Sequence, residues 1–418
     1  MRRVVRWRSP IRGPWLTAMF ALPLLVRLPV VAFTGLLDRL AYGREQAIPA
    51  ADAVGGLQLP WWDWPASPAW LFRLTEGLHV GLGMVLVPLV LAKLWSVIPK
   101  LFTAPERNPV KLLERLSLVL LVGSILFLIV TGLLNVQYDY VFGFSFYDGH
   151  YAASWVFLAS FALHVVTKLP TMVRALRSRS LRTEVTTPLA ATRPEPAHPL
   201  VAPDPDPPTM SRRGAIALVG GGMVFVAALT VGQFTDRFRA TALLLPRGRT
   251  TAPDSTERGG PNDFPVNRTF VASGIAAAAV GEAWTLTVSG GAAPVVLDRA
   301  ALAALPQHTA ELPIACVEGW STSQVWTGVR LTDLARAAGV TDPETAEVRS
   351  VEVGSPFARS LLNRAQTLSP DSLLALRVNG AELSPDHGYP ARLIVPALPG
   401  VHNTKWVATI GFSRAAPR

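Results

Sequence analysis

The chain has 418 residues, of which half are hydrophobic, with a mean hydropathy of +0.32 and a formal net charge of +10. This composition is too apolar for an ordinary soluble enzyme. The apolar excess lies before residue 235, whereas the remainder is mixed in composition and long enough to bury one sizeable core. The sequence therefore predicts a membrane-embedded first half and a globular second half.

Five apolar runs in the first half have about the length of roughly 20 residues that a helix needs to cross the hydrocarbon of a bilayer. We therefore predict a membrane α-helical bundle of about five transmembrane helices, of which the first four form one domain over residues 1–171. The runs lie near residues 15–37, 77–98, 116–136, 151–167 and 214–232.

The positions of the basic residues predict how the chain crosses the membrane. They cluster before the first run, between the second and third, and between the fourth and fifth, whereas 41–70 and 138–149 are poor in them. Since basic loops stay in the cytoplasm, the N-terminus is predicted to be cytoplasmic and the globular half extracytoplasmic, in a plasma membrane of bacterial type. The charge thus indicates anionic lipids as neighbours, and nucleic acid is excluded as a partner. The clustered residues include Arg2, Arg3, Arg6, Arg8, Arg12, Lys100, Arg107, Lys111, Arg115, Arg174, Arg177, Arg179, Arg182, Arg212 and Arg213, and Asp139 lies in a basic-poor loop.

The linker over residues 172–213 is rich in proline and lacks apolar periodicity. This pattern predicts an extended, solvated cytoplasmic spacer with His198 on its surface. Arg212 and Arg213 precede the Gly-rich fifth span, predicted over 214–235, and together they resemble a twin-arginine export signal that serves as an anchor. Ordinary basic flanking of a membrane helix is the equal alternative.

Three histidines of the membrane half, His79, His150 and His164, are candidate metal ligands, because ionisable residues inside a bilayer are costly and often functional. On one helix, His150 and His164 fall about 40° apart around the axis and roughly 21 Å apart in height. Neutral imidazole is a usual axial ligand of haem iron. We therefore predict that His79 and His150 hold a haem b near the outer face. An interhelical hydrogen bond is the alternative role for a single histidine.

His164 has three candidate roles: a ligand of a second haem, the true partner of His79, or a residue of a quinol pocket. Four spans with such histidines resemble the four-helix membrane cytochrome b domains that accompany dehydrogenases and reductases. The resemblance covers about 15–170 and implies exchange of electrons with the quinol/quinone pool. It lacks a fourth histidine, so one or two haems are expected.

Strand and turn patterns begin after residue 240, and an α+β domain is predicted over 240–418. Residues 284–316 read as strand, turn, helix start and a strand that ends at Cys316, and Asn379-Gly380 predicts a turn between strands. Residues 391–397 and 401–410 read as further strands. Cys316 is the only cysteine of the chain, so it forms no internal disulfide, and a buried core cysteine is the alternative to a functional thiol.

Several motifs in the order found here resemble the molybdopterin-binding domain of the sulfite oxidase family, over about 263–418. The first is a cysteine that closes a strand before a turn, followed by Trp-x-Gly-Val-x-Leu, Asp-His-Gly-x-Pro-x-Arg and a final Lys-Trp. The resemblance implies the sulfite oxidase fold, a molybdenum cofactor and an oxidoreductase. The residues that carry it are Cys316, Trp326, Gly328, Val329, Leu331, Asp386 to Arg392, Lys405 and Trp406.

By this resemblance Cys316 is the thiolate ligand of molybdenum, and a soft thiolate suits a metal that changes oxidation state. Arg392 and Lys405 match cofactor-binding positions, where their charges suit the phosphate of molybdopterin. His308 is assigned to a surface turn. Further cofactor-binding residues implied are Asn267, Arg268, His387 and, in the turn before Lys405, His402, Asn403 and Thr404.

The residues after Cys316 indicate the substrate. Relatives that oxidise sulfite place arginines there, whereas Glu318 and Trp320 follow here and suit an anion poorly. The sequence resembles instead the branch that reduces oxidised substrates outside the cytoplasm, such as free or protein-bound methionine sulfoxide, with electrons that reach molybdenum from a quinol through haem b. Glu318 is a candidate proton donor or relay, or it caps a turn. The chain stops shortly after Lys405, so the family's extra dimerisation domain is not expected and a monomer is predicted.

Two other functions remain open at this point. The same fold can run in the opposite direction, as a dehydrogenase that feeds electrons to quinone. A cofactor-free, membrane-tethered binding or scaffold protein is the alternative from another class. The presence of Cys316, Arg392 and Lys405 together argues against a scaffold, because a scaffold does not need a thiol.

Overall fold

The computed structural model describes residues 7–43, 53–54, 57–58, 62–102, 108–137, 146–244, 259–355 and 357–414. Contacts divide the chain into two compact units, Met1–Phe33 with His79–Ala228, and Thr34–Leu78 with Leu229–Arg418. The first loop thus belongs with the C-terminal part of the chain, which the domain boundaries read from the sequence did not predict. Some of the predicted charge pattern, namely Arg2, Arg3, Arg6, Arg107 and Asp139, lies outside the described residues.

Within the described residues, five helices are long and apolar enough to cross a membrane, which fits a multi-pass membrane protein as the hydropathy predicts. His150 and His164 lie on one of them, as expected. The helices of this part of the chain, including one short helix, are α1 (Pro14–Ala41), α2 (Leu71–Leu101), α3 (Pro109–Gln137), α4 (Phe146–Arg177), α5 (Leu181–Thr186) and α6 (Arg212–Thr230).

A cluster of buried apolar side chains joins α1, α2 and α6, while α3 and α4 pack against each other. Large apolar side chains of α3, among them Leu112, Leu113 and Val119, are exposed. An apolar outer face of this kind suits lipid better than water. The cluster contains Ile11, Trp15, Leu16, Phe20, Leu24, Leu86, Leu89, Val90 and Ala215.

The segment between α4 and α6 is not the extended, solvated spacer that its proline content predicts. It contains α5, and Glu184 and Glu195 are both buried within it. Both carboxylates pair with Arg212, at 3.1 Å for Glu184 and 3.8 Å for Glu195, and the side chain of Arg212 is 2% exposed. Glu195 also accepts a hydrogen bond from the backbone N–H of Trp15. The ion pairs hold the segment in place, because a buried charge without a partner is strongly destabilising.

Within the described residues, the second unit contains a short two-stranded sheet and two five-stranded sheets, as expected for an α+β domain. One five-stranded sheet has the strand order β10-β9-β6-β5 with β11 beside β9, and the other has β4-β3-β12-β7-β8, in which only β3 and β12 are parallel. The strands are β1 (Ala53–Val54), β2 (Leu57–Gln58), β3 (Thr285–Ser289), β4 (Val295–Asp298), β5 (Gln307–Cys316), β6 (Trp320–Arg330), β7 (Pro343–Ser350), β8 (Arg359–Leu362), β9 (Leu373–Val378), β10 (Ala381–Glu382), β11 (Arg392–Ile394) and β12 (Val407–Arg414). The short helices are α7 (Phe270–Ser273), α8 (Arg299–Ala304), α9 (Leu331–Ala337) and α10 (Arg364–Leu368).

The Trp-x-Gly-Val-x-Leu motif lies on β6 and is explained by packing. Trp326 is fully buried, and its indole N–H donates to the Leu312 carbonyl across the sheet. A Cβ at Gly328 would lie 2.1 Å from the carbonyl oxygen of Leu374, so the approach of β9 requires a glycine here. The motif therefore fixes the distance between two strands of the sheet.

The turn predicted at Asn379-Gly380 joins β9 to β10, and both residues have positive φ, at 51° and 83°. That conformation suits the tight hairpin turns for which Asn-Gly is preferred. The assignment of His308 to a surface turn is wrong, because His308 lies in β5 opposite Gly328. Its Nε2 lies 2.8 Å from a carboxylate oxygen of Asp371, so side-chain pairing holds it in the strand.

Candidate active site

Cys316 is the last residue of β5, and a tight turn returns the chain to β6 at Trp320. Gly319 closes that turn with φ +81°, and its N–H donates to the Cys316 carbonyl at 2.8 Å. The thiol is free and 1% exposed. The end of the strand thus places the sulfur at the wall of a pocket rather than within the sheet.

This pocket brings four of the predicted site residues together: Cys316, Asn267, Arg392 and Lys405. Arg392 begins β11, and Lys405 lies just before β12. Cys316, Arg392 and Lys405 therefore reach the pocket from the ends of β5, β11 and β12. Trp320, which the sequence singled out as a neighbour of Cys316, also lines the pocket. The lining residues that the sequence did not single out are Phe264, Pro265, Val266, Ile314 and Gly400.

Arg392 is 4% exposed, and its guanidinium carbon lies 5.6 Å from the centroid of the Trp326 ring. Its Nη1 donates to the His387 carbonyl at 3.4 Å, whereas its Nε has no hydrogen-bond partner among the described residues. Burial lowers the pKa of Arg392 to about 10, which leaves the side chain charged at neutral pH.

Lys405 adds a second cation at the same wall. Its Nζ donates to the carbonyls of Arg268, at 2.8 Å, and Asp386, at 2.7 Å. Burial, and secondly the charge of Arg392, lower the pKa of Lys405 to about 7. In the part of the chain that the structure describes, no carboxylate forms an ion pair with either cation. Two basic side chains without a carboxylate partner make the pocket a site for an anion, whose charge would favour the protonated form of Lys405.

The thiol lies in a different electrostatic environment. Burial raises the pKa of Cys316 well above its usual range, and the carboxylate of Glu318 adds to the rise. Glu318 is buried, and it accepts a hydrogen bond from the indole N–H of Trp320 at 3.1 Å. The thiol of the cofactor-free chain is therefore protonated, and a metal that binds it must displace the proton.

Two of the predicted cofactor-binding residues point elsewhere. Arg268 forms an ion pair at 2.5 Å with the buried carboxylate of Glu352. His387 stacks on Phe264 at a ring-centroid distance of 3.7 Å, and its Nε2 hydrogen-bonds to the Asn262 carbonyl. Burial lowers the pKa of His387 well below its usual value, followed by the effects of Lys405 and Arg392. Arg268 thus contacts Lys405 through its carbonyl, and His387 contacts Phe264. Both residues support the side chains that line the pocket.

The side chains of His402, Asn403 and Thr404 are engaged within the chain. His402 Nε2 hydrogen-bonds to the Tyr42 carbonyl at 2.9 Å, and burial lowers the pKa of His402 to about 4, so it is neutral. Asn403 Oδ1 accepts from the backbone N–H of Val395, and the Thr404 hydroxyl lies 2.7 Å from that of Ser360. These residues shape the loop that carries Gly400 and Lys405.

Residues 274–418 match the model of the oxidoreductase molybdopterin binding domain family. This part of the chain is a molybdopterin-binding oxidoreductase domain. It resembles the Bacillus subtilis (strain 168) protein "Uncharacterized oxidoreductase YuiH", with 34% identity over 122 residues, which is 29% of this chain and 60% of that protein.

Mitochondrial sulfite oxidase of Drosophila melanogaster is 34% identical over 155 residues, 31% of this chain and 27% of that protein. The NADH nitrate reductase of Volvox carteri is 33% identical over 101 residues, 22% of this chain and 12% of that protein. The chain thus spans less than two thirds of the length of each of these relatives. They place the molybdopterin-binding domain in the group that contains sulfite oxidases and nitrate reductases.

The residues of the molybdopterin-binding domain fit the cofactor. Molybdopterin carries a phosphate, and the buried Arg392 with its unpartnered Nε and the nearby Lys405 supply positive charge for it. Asn403 Nδ2 and His402 Nδ1 are further buried atoms without a hydrogen-bond partner among the described residues. Cys316 supplies the soft ligand that a redox-active metal requires.

The predicted haem ligands lie in the first unit. The ring centroids of His79, on α2, and His150, on α4, are 6.0 Å apart in an edge-to-face arrangement. His79 Nδ1 hydrogen-bonds to the Val31 carbonyl at 2.8 Å, and His150 Nδ1 lies 3.0 Å from the Thr131 hydroxyl. His164 lies further along α4 and is half-buried. The structure therefore brings together the two histidines whose pairing the sequence favours.

Proposed function

We propose that the chain is a membrane-anchored molybdenum-cofactor oxidoreductase that reduces S- or N-oxides, such as methionine sulfoxide. Electrons would come from a membrane quinol through haem b. The observation that carries the proposal is the position of the Cys316 thiol, at a strand end and at the wall of the pocket that Arg392 and Lys405 line. A scaffold would need neither a buried thiol there nor two cations without carboxylate partners.

The charge distribution around Cys316 supports a neutral substrate. The two cations of the pocket are the groups that suit the cofactor phosphate, whereas the ionisable side chain of the turn that follows Cys316 is the carboxylate of Glu318. Sulfite is an anion and would be repelled by that carboxylate. A sulfoxide or N-oxide carries no net charge, so it can approach the thiol-bearing wall without this repulsion.

The reduction consumes two electrons and two protons, since R₂S=O + 2e⁻ + 2H⁺ gives R₂S + H₂O. The molybdenum cofactor, when bound, supplies the two-electron oxygen-transfer chemistry. Arg392 and Lys405 would hold its phosphate, and Cys316 would bind its metal. Glu318 is the titratable group nearest in sequence to Cys316, and its carboxylate would take up a proton during turnover and pass it to the oxygen that leaves as water.

The arrangement of His79 and His150 supports the haem. Two imidazoles that bind one metal through Nε2 at about 2 Å each have centroids roughly 6 Å apart. The observed 6.0 Å fits this value. Each Nδ1 is oriented by a separate hydrogen-bond partner, Val31 for His79 and Thr131 for His150. Such partners fix the ring and the tautomer of a metal-ligating histidine.

The proposed location is a bacterial-type plasma membrane, with the N-terminus in the cytoplasm, lipid around the five apolar helices and the molybdopterin-binding domain outside. It is supported by the basic residues near the predicted cytoplasmic helix ends, where Lys111 and Lys168 both pair with Glu114. A reporter fused after Arg418 that is active only outside the cytoplasm tests this location. Activity of a cytoplasm-specific reporter at the same position would overturn it.

The test of function is an anaerobic optical titration of the detergent-purified protein. We would reduce it fully, record the b-type haem bands, add methionine sulfoxide and follow the bands. Reoxidation in the wild type, with no reoxidation in Cys316→Ser, is the expected result. The Cys316→Ser protein serves as the matched control, because its haem bands should be those of the wild type.

Other outcomes separate the competing functions. One such outcome is a haem that stays reduced after the sulfoxide is added and yet becomes reduced when sulfite is added to the oxidised protein. That result would indicate a dehydrogenase that passes electrons into the membrane, as the relationship to a sulfite oxidase allows. A protein with neither haem bands nor molybdenum would overturn the enzyme proposal and favour the scaffold.

A further inference from the structure

Trp64 lies in the loop between α1 and α2, far in sequence from the pocket, yet it contacts the loop that forms one pocket wall. Its side chain is 4% exposed, and its indole N–H donates to the Ala397 carbonyl at 2.6 Å in a buried hydrogen bond. Residues 34–78 belong to the same compact unit as residues 229–418. The contact is therefore internal to the unit that contains the pocket.

A second set of hydrogen bonds holds the backbone of Trp64. Asn363 and Gln366 form a capping box at the start of α10, in which their side-chain oxygens accept from the backbone N–H groups. Their side-chain N–H₂ groups both donate to the Trp64 carbonyl, Asn363 at 3.2 Å and Gln366 at 3.0 Å. Both ends of the tryptophan residue, indole and carbonyl, are thus fixed by the second half of the chain.

The segment that Trp64 contacts is bounded by two unusual backbone conformations. Ala397 has φ +61° and Trp406 has φ +52°. A positive φ is unfavourable for a residue with a side chain and persists where the surroundings impose it. Between these two residues lie Gly400 and Lys405 of the pocket wall.

Residue 42 supplies another contact from the same loop. His402 Nε2 hydrogen-bonds to the Tyr42 carbonyl at 2.9 Å, in a buried position. The segment 397–406 is therefore held at its beginning by Trp64 and near its middle by the backbone of Tyr42. Trp64 and Tyr42 both lie outside residues 274–418, which the family model covers, whereas their partners Ala397 and His402 lie within them.

We propose that Trp64 is a positioning residue of the cofactor pocket: the loop between α1 and α2, through Trp64 and Tyr42, holds the segment 397–406 in the conformation that presents Gly400 and Lys405 to molybdopterin. The inference rests on the cofactor site described above and extends it. It makes the pocket a joint product of the loop between two membrane helices and the molybdopterin-binding domain.

The test compares Trp64→Phe with Trp70→Phe in the full-length chain. Phenylalanine at position 64 keeps most of the buried ring but removes the N–H donor, and Trp70 is a tryptophan of the same loop that is 55% exposed. We would measure the molybdopterin released during gel filtration, as its fluorescent oxidation product, and the hydrogen exchange of the peptide 398–405. For Trp64→Phe we expect about tenfold faster release of molybdopterin, ~1.4 kcal/mol, from the loss of one buried hydrogen bond.

Faster exchange confined to 398–405 should accompany that release, because a positioning role acts through this segment. Trp70→Phe should behave as the wild type in both measurements. Asn363→Asp gives an independent variant, since it keeps the cap acceptor and loses one donor to the Trp64 carbonyl, and it should change both quantities in the same direction.

Wild-type retention of molybdopterin and wild-type exchange of 398–405 in both Trp64→Phe and Asn363→Asp would overturn the inference. A wild-type protein that holds no molybdopterin would instead refute the cofactor site itself. The two failures are therefore distinguishable in one set of measurements.

Discussion

The guanidinium of Arg392 lies over the ring of Trp326, 5.6 Å from its centroid, and so connects two motifs that are distant in the sequence. Trp326 is fully buried and anchored to the Leu312 carbonyl, so it offers a rigid face to the cation. The Trp-x-Gly-Val-x-Leu motif thus supplies the ring against which Arg392, of the Asp-His-Gly-x-Pro-x-Arg motif, is positioned.

We expect Arg392→Lys to lose the cofactor although the charge is kept. Lysine has no planar fork for a phosphate and no flat face for Trp326, so molybdopterin content should fall about tenfold or more. The measurement is molybdenum and molybdopterin per protein. Arg377→Lys, an exposed arginine on β9, is the control. Equal contents in Arg392→Lys and the control would remove Arg392 from the anion site.

The haem proposal predicts that His79→Ala and His150→Ala each abolish the b-type bands. Each removes one of two axial imidazoles. Absorption spectra of the reduced and oxidised proteins give the result. His164→Ala is the informative comparison: retained bands at full intensity would leave one haem bound by His79 and His150, and a loss of half the absorbance would indicate a second haem. Unchanged spectra in the first two variants would contradict the assignment.

Gly328→Ala should destabilise the molybdopterin-binding domain. The new Cβ would meet the Leu374 carbonyl oxygen at 2.1 Å, which forces β6 and β9 apart, so a cost of roughly 2–4 kcal/mol is expected. Thermal unfolding followed by tryptophan fluorescence measures it. Gly281→Ala is the matched control, because its Cβ would lie 3.6 Å from its nearest neighbours. Equal midpoints for the two variants would show that the strands can separate at no cost.

The buried His402 is expected to make the folded chain less stable in acid. Its pKa in the folded chain is about 4, below the value of 6.5 for an unperturbed histidine, so the unfolded chain binds more protons between these two pH values. Stability should therefore rise as pH increases from 4 to 6.5 and level off above, with a contribution of up to ~3 kcal/mol from this residue.

His402→Gln is the variant that isolates this contribution, because its side-chain N–H₂ can still donate to the Tyr42 carbonyl but does not titrate. Its unfolding midpoint should fall less steeply than that of the wild type as pH decreases from 6.5 to 4. Parallel pH profiles for the two proteins would exclude His402 as the titrating group.

Much of this arrangement can be predicted from local sequence. The apolar runs predict the five long helices, Asn379-Gly380 predicts its hairpin, and the motifs identify Cys316, Arg392 and Lys405, which the structure brings together at one pocket. These features depend on residues close in sequence or on motifs with a fixed order.

What could not be predicted depends on side-chain direction and on distant partners. Thr404 lies in the predicted turn before Lys405, but its hydroxyl contacts that of Ser360, and Arg268 forms an ion pair with Glu352. The sequence did not predict these contacts, because spacing alone does not indicate where a side chain points. Trp64 and Ala397 are 333 positions apart, and no pattern within either stretch relates them. The sequence alone predicts a solvated linker, because the buried partners of its carboxylates are distant. Glu184 and Glu195 pair with Arg212 at the end of the linker, and Glu195 also accepts from the backbone of Trp15 outside it.

If Arg212 and Arg213 serve as an export signal, the pairing of Arg212 with Glu184 and Glu195 would set an order of events for the maturing chain. Once the linker has closed over it, Arg212 is buried, and only Arg213 of the two neighbouring arginines remains exposed. Any export receptor that recognises both guanidinium groups together must do so before α5 and Glu195 take up their places. Folding of the linker would then end the period in which a receptor can bind such a signal.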